Sequence, residues 1–335
     1  MGKADGSHDL FWQLFTFGEH ATRWRLTTPP GVADNGGLVV APTGSQSVLA
    51  GFVTSQELAF SPLALTSDSG ANWRAGNPLA PLAVAPSALA ASAAGRAAAL
   101  VRAHGSQQVV TSSGSLSSWS PLTTTTRLAQ SRVARPCGVR ALTAVGVASN
   151  GTVLAGASCT RSGVLGLYAD IDGAWQAARP SSPSALAGAT VTPVRLVSGG
   201  AVPEGVFTAT RHGVTEVLAG WASTASDAWT FSPALALAPS GSLLASGSGP
   251  GTTVFAVVGE GRQTEAEVTA GPGRPWHVLP RLPSGTATVA FEPDGALDAL
   301  SAHLTTLAIW RLAADGRSWS KVTTVSVSIF FGSSS

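Results

Sequence analysis

Seven tryptophans recur at nearly even intervals along this 335-residue chain, and that regularity restricts the possible folds more than any other feature. Trp24, Trp73, Trp119, Trp175, Trp229, Trp276 and Trp319 are separated by 49, 46, 56, 54, 47 and 43 residues. Each of the last six closes a polar turn: TSDSGANW, TSSGSLSSW, YADIDGAW, STASDAW, TAGPGRPW and LAADGRSW. A proline follows most of them within a few residues, as in WRAGNP, WSPL, WQAARP, WTFSP and WHVLP. A tight turn, a large aromatic and a proline-bounded exit, repeated in this way, mark a repeated hairpin.

Between the tryptophans the apolar residues fall in short runs bounded by turn residues, with no long segment at helical spacing. With 38 glycines, 21 prolines and 44 % apolar residues, the chain reads as all-β with a large core. The order of strands repeats as well. After Trp119 come ALTAVGVA, TVLAGASC and VLGLYA, then the turn that delivers Trp175. Four strands per unit of this length make one blade of a β-propeller. Six full units end at Trp73, Trp119, Trp175, Trp229, Trp276 and Trp319. Residues 9–27 offer only an outer hairpin and 322–335 an inner strand, so together they are expected to form a seventh, closing blade that leaves no sheet edge exposed. The expectation is therefore a single domain over 1–335: a seven-bladed β-propeller of four-stranded antiparallel blades, its ring closed by N- and C-terminal strands, with 1–8 as a disordered tail.

TSDSGANW resembles the Asp-box, or BNR repeat, with the pattern Ser/Thr-x-Asp-x-Gly-x-x-Trp. That repeat is found in sialidase-like propellers and in non-enzymatic relatives such as photosystem assembly factors. Thr66, Asp68, Gly70 and Trp73 match it in full. Elsewhere it decays: Asp170 keeps its place before Trp175 while glycine slips to Gly173, Gly316 keeps its place before Trp319 while the aspartate moves to Asp315, and Gly271 replaces the aspartate before Trp276. The physical reading of the box is structural. Short oxygen-bearing side chains cap the donors of a tight turn, glycine takes a positive φ, and tryptophan wedges between neighbouring sheets.

The resemblance implies a sialidase reading, which the residues do not support. That family uses a tyrosine nucleophile with a glutamate, an acid/base aspartate and three arginines, one of them in Arg-Ile-Pro. Here the one tyrosine, Tyr168, lies on a third strand leading away from the ligand face, and Arg-Ile-Pro does not occur. Other glycosidase chemistry needs two facing carboxylates. Several acidic residues sit in the third-to-fourth strand turns, and no spacing among Glu57, Glu204, Glu216, Glu260, Asp34 and Asp298 singles out a pair. Catalytic residues are accordingly unassigned, and no Gly-x-Ser-x-Gly or metal-ligand spacing is present. No cofactor or metal is expected.

A formal charge of +2, from 20 basic and 18 acidic residues, argues against nucleic acid. The basic residues nevertheless have a pattern. In a propeller the connections between second and third strands share one face, and five of six complete blades place Arg or His there: Arg102 and His104, Arg161, Arg211 and His212, Arg262, and His303. Such a ring would suit an anionic ligand or an acidic protein surface; the plainer alternative is that hairpin tips are polar in any β protein. Cys137 and Cys159 are read as one disulfide of an oxidising compartment, pinning a long loop that adds Arg127, Arg132, Arg135 and Arg140.

No window is apolar enough for a transmembrane segment, and MGKADGSHDL lacks a signal-peptide core, so it is read as the start of a mature chain whose signal has been removed. Sparse lysine, only Lys3 and Lys321, is consistent with a bacterium of high-GC genome. The functional expectation is a non-catalytic, extracytoplasmic binding or scaffold propeller, secreted or associated with the cell envelope, that holds a protein or anionic glycan. The alternatives are a carbohydrate-active hydrolase or lyase, and an assembly factor for a membrane protein complex.

Overall fold

A computed structural model describes residues 2–3, 10–11, 14–16, 24–29, 38–52 without 45, 63–78, and 86–326 without 104, 115, 117, 198–201, 262, 293 and 304–305. The chain divides into two compact units, residues 1–124 with 325–335, and residues 125–324. Both are built from four-stranded antiparallel blades, and the protein is a β-propeller.

The first unit holds blade 1 (Leu38–Pro42, Val48–Phe52, Leu63–Thr66, Arg74–Pro78) and blade 2 (Ala88–Ala91, Ala97–Ala103, Ser106–Ser112, Ser118–Thr124). Their outer strands pair in parallel through Asn77–Pro78 and Ser118–Trp119, joining the two blades into one eight-stranded sheet. Gly2–Lys3, within the expected tail 1–8, pairs with Leu10–Phe11. Phe15–Thr16 pairs with Arg25–Leu26.

The second unit holds blade 3 (Val139–Val147, Val153–Cys159, Leu167–Ile171, Ala174–Ala177) and blade 4 (Thr190–Val197, Glu204–Arg211, Val214–Trp221, Ala228–Phe231). Blade 5 (Ser242–Ser248, Val254–Glu260, Gln263–Thr269, His277–Val278) and blade 6 (Thr286–Phe291, Leu297–His303, Thr306–Leu312, Trp319–Ser326) follow. In each of these four blades the inner strand carries a bulge against the second strand, at Thr143, Val194, Leu244 and Ala287. A bulge adds local twist at the crowded inner edge of a blade.

Six blades are present among the described residues, where the tryptophan count predicts seven. The pair Phe15–Thr16 and Arg25–Leu26 is a separate two-stranded sheet, and Val322–Ser326 continue the outer strand of blade 6 instead of entering a closing blade. Residues 327–335, on which the expected ring closure depends, lie outside the described residues.

The repeat works through its tryptophans. Trp73 donates its indole N–H to the Thr27 carbonyl at 2.8 Å, Trp276 to Pro233 at 3.0 Å, and Trp319 to Pro280 at 3.1 Å. In each case the acceptor lies three or four residues beyond the preceding tryptophan of the series. The proline-bounded exit thus supplies a free carbonyl to the next unit, and one ring both fills the gap and ties the segments together. The same register recurs in the parallel pairs, where Pro78 lies opposite Trp119 and Pro180 opposite Trp229.

The intact box behaves as the sequence predicts. Thr66 Oγ1 accepts from the Gly70 and Asp68 amides and donates to Asp68, whose carboxylate accepts the Asn72 backbone and side-chain N–H groups. Gly70 has φ +79°, and a Cβ there would lie 2.6 Å from Thr27 Cβ, so both conformation and space require glycine.

Within each unit, neighbouring blades bury apolar side chains between them. Leu49, Leu63, Val101 and Trp119 belong to a cluster in the first unit, and Leu154, Leu167, Phe207 and Trp229 to one in the second.

Candidate functional site

The loops between second and third strands were singled out for their basic residues. In blade 2, Arg102 is exposed near the end of the second strand. In blade 3, Arg161 is also exposed, and its backbone N–H donates to the Cys137 carbonyl at 3.2 Å. The Cys137–Cys159 disulfide is formed, with Cα atoms 4.8 Å apart. In blade 4, Arg211 reaches back to a single 3-10 turn, Pro183–Leu186. Its Nε donates to the Ala187 carbonyl at 3.1 Å, Nη2 donates to the Ala185 carbonyl, and Nη1 pairs with Glu216 at 2.8 Å. His212 is exposed at φ +48° on the hairpin tip. In blade 6, His303 Nε2 hydrogen-bonds the Ser284 carbonyl at 2.8 Å. His104 and Arg262 lie outside the described residues.

The hairpins that carry Arg161 and Arg211 dock on one segment. The Gly163 amide donates to Ala189 at 2.7 Å, two residues beyond one of the Arg211 acceptors. Arg211 is thereby committed to structure, whereas no ion pair joins Arg161 or His212 to a described residue. His303 belongs to a different neighbourhood, against Ser284 and Gly285.

Beside Arg161 stands the disulfide-anchored loop. A helix of one and a half turns, Thr125–Gln130, buries Leu128, and the loop after it buries Ala134 and Cys137. Arg127, Arg132, Arg135 and Arg140 are left exposed around these three anchors. From Asp68 to Asp170 the chain has eight arginines and no intervening acidic residue, and no ion pair joins Arg132, Arg135 or Arg140 to a described residue.

Carboxylates behave differently in different places. Hydrogen bonds from the Asn72 backbone and side chain, then from Thr66, hold Asp68 down at about 2. Glu204, 2 % exposed, is pushed up to about 7 by burial, with its Oε2 accepting from Trp221 Nε1 at 3.2 Å. Burial also raises Glu267, assisted by Glu265, and Glu292, assisted by Asp298. Asp298 is engaged by Arg311 through two hydrogen bonds of 2.8 and 3.0 Å. Tyr168 is 1 % exposed and desolvation pushes its hydroxyl up to about 12, which removes it as an accessible nucleophile.

Two adjoining cavities flank blades 5 and 6. One, of about 690 Å³, runs between the third strand of blade 5 and the connection 278–286. The other, of about 490 Å³, lies between that connection and the outer hairpin of blade 6, with Trp310, Trp319, His303, Arg281 and Arg317 in its wall. Pro280, Arg281, Pro283 and Ser284 line both. Glu265 is the one carboxylate among the lining residues of the two.

Sequence reasoning found His303 here but missed Arg281, Arg317 and Trp310. Arg281 lies in the connection after an outer strand and Arg317 in a worn box, where the tryptophan pattern drew attention to structure. It also missed Arg195, on the inner strand of blade 4, because TPVRLV reads as an apolar strand. Arg195 donates to the Ser246 carbonyl of blade 5 at 2.7 Å, and crowding by protein lowers its pKa. The signal available in sequence was a lone charge in an inner strand otherwise built from small and apolar residues.

No protein family description and no curated protein sequence matches this chain. Solved structures do resemble it. A protein from Bacteroides uniformis, provisionally named a 6-phosphogluconolactonase, is 13 % identical at a TM-score of 0.58, with 94 % of this chain and 92 % of that one covered. A second provisional 6-phosphogluconolactonase, from Bacteroides fragilis, is 11 % identical at 0.57, covering 97 % and 94 %. An ancestral GH74 enzyme is 14 % identical at 0.52, covering 89 % of this chain and 42 % of that one. At these identities the likeness is one of fold.

Proposed function

We propose that this β-propeller is a non-catalytic binding protein of an extracytoplasmic compartment, and that its basic rim holds an acidic protein surface. The observation that carries the reading is the rim itself. Arg132, Arg135, Arg140 and Arg161 are exposed around a disulfide-anchored loop in a stretch of chain without a carboxylate, and no ion pair joins any of them to a described residue, which leaves them available to an acidic surface outside the chain. The disulfide supports an oxidising compartment. No helix among the described residues is long and apolar enough to cross a membrane. An assembly role at a membrane protein complex would be one form of the same activity, with the partner supplying the acidic surface.

A hydrolase or lyase reading draws less support. Glu204, the carboxylate raised to about 7, meets Trp221 and Ser248 and no second acid among the described residues that shift it.

The test is retention of poly-L-glutamate by the oxidised protein at rising salt, compared with an Arg132→Gln, Arg135→Gln, Arg161→Gln variant. Salt-sensitive binding, weakened about tenfold or more in the variant, supports the reading. Equal binding by both forms, or none at low salt, overturns it.

A further inference from the structure

The cavity of about 490 Å³ beside blade 6 has the size of a small-ligand site and an unusual wall. Two indoles line it, and both have already committed their N–H groups: Trp319 to Pro280 at 3.1 Å and Trp310 to Ser301 Oγ at 2.9 Å. What the rings still offer a ligand is π surface, which favours weakly positive C–H faces and cations. Lys321 Nζ already lies 5.8 Å from the Trp310 ring centroid. The wall is held in shape by the carbonyls of its own connection, since Ser284 fixes His303 at 2.8 Å and Pro280 fixes Trp319.

The charge in this wall is one-sided. Arg281 and Arg317 are both exposed, no ion pair joins either to a described residue, and no carboxylate lines this cavity. Arg311 nearby is different, because Asp298 occupies it through two hydrogen bonds. A guanidinium with no internal partner is a ready bidentate donor for a carboxylate. Ser284 and Ser318 add hydroxyls of the kind that exchange hydrogen bonds with a polyol.

We infer that this groove is a binding site for an acidic oligosaccharide, a uronate-containing chain whose C–H faces lie on Trp310 and Trp319 and whose carboxylates meet Arg281 and Arg317. The adjoining cavity of about 690 Å³, which shares Arg281 and Ser284, gives room for further sugar units. An extended peptide fits less well. Pro280 and Pro283 lack the backbone N–H groups that a peptide would use, and the donors left are guanidinium, imidazole and hydroxyl. The site is on the flank of blades 5 and 6 and does not depend on the basic rim near the disulfide.

The experiment is ligand-observed NMR and calorimetry on the full chain with trigalacturonate, maltotriose as the neutral match, and a proline-rich peptide. Trigalacturonate should bind, maltotriose should bind more weakly, and an Arg281→Gln, Arg317→Gln variant should lose about tenfold or more in affinity for the uronate. Trp310→Ala should abolish binding; if that variant does not fold, the arginine variant, which changes only exposed side chains, still decides. The Arg132→Gln, Arg135→Gln, Arg161→Gln variant should bind trigalacturonate as the unmodified protein does, which separates this site from the rim. No uronate binding at millimolar concentration, unchanged affinity in the arginine variant, or binding of the peptide in place of the uronate would each overturn the inference.

Discussion

In the first blade Trp73 is half-buried and ties its indole N–H to Thr27; in the fourth, Trp229 is fully buried and its indole nitrogen has no hydrogen-bond partner among the described residues. The carboxylates diverge in the same way. Asp68 sits at the surface of an intact box with its charge held by amides, whereas Glu204 lies under Trp221 in a dry site that favours the proton. One blade is organised by hydrogen bonds at its rim and the other by packing at its centre. Trp229 meets the Phe207 ring edge-on at 5.8 Å, and Phe207 meets Phe231 at 5.4 Å, an aromatic cluster with no counterpart around Trp73 among the described residues. The tryptophan of a blade can therefore be held without an intact box around it, provided that the ring has aromatic neighbours.

Trp229→Ala should break the comparison most visibly, costing about 3–5 kcal/mol in urea unfolding because a large buried ring leaves a cavity. A loss below about 1 kcal/mol would mean that the aromatic cluster does not carry the fourth blade.

The second effect is one of pH. Glu204 releases its proton near 4.5 when unfolded and near 7 when folded. Its folded value is raised, so the stability it contributes is complete below 4.5 and is lost as pH climbs through about 7. The loss should approach about 3 kcal/mol, and Glu204→Gln should remove it. Denaturation midpoints from pH 4 to 8 that fall equally in both proteins would contradict the assignment.

Third in size is Trp73→Phe, which keeps an aromatic ring but deletes the bond to Thr27, for a cost of about 1 kcal/mol. The same change at Trp276 or Trp319 should behave alike, since both make the corresponding bond.

Smallest is Asp68. Its folded value is depressed from 3.8 to about 2, so the box is at full strength above pH 4 and weakens as pH falls toward 2. Asp68→Asn should flatten that acid limb of the stability profile by lowering stability above pH 4 toward its acid value. An unaltered acid limb would show that other carboxylates govern it.

Much of this was legible in the chain. The tryptophan interval identified the blade, since only a repeating four-stranded unit of that length returns the same ring to the same place. TSDSGANW specified its own turn, because every bond in it joins residues within four positions of one another. The disulfide pairing followed from there being two cysteines. The blade count did not follow. Trp24 was counted as the mark of a blade, but a tryptophan and a hairpin do not show whether two further strands exist to complete the sheet.

The flank groove was illegible for a related reason. Arg281, His303, Trp310 and Arg317 are spread over two connections and two strands, and they meet only because the segment 279–286 is drawn along the outer hairpin of blade 6. The same holds for the hairpins of Arg161 and Arg211, which lie in different blades and dock on one segment, through Gly163 to Ala189 and Arg211 to Ala187. Local bonds, periodicity and chain-wide charge are properties of sequence, and they determined the class of fold, the turn chemistry and the acid-free stretch. Which arginines are spent on carbonyls and carboxylates and which still face solvent is set by contacts between distant strands, and the tertiary structure alone decided it.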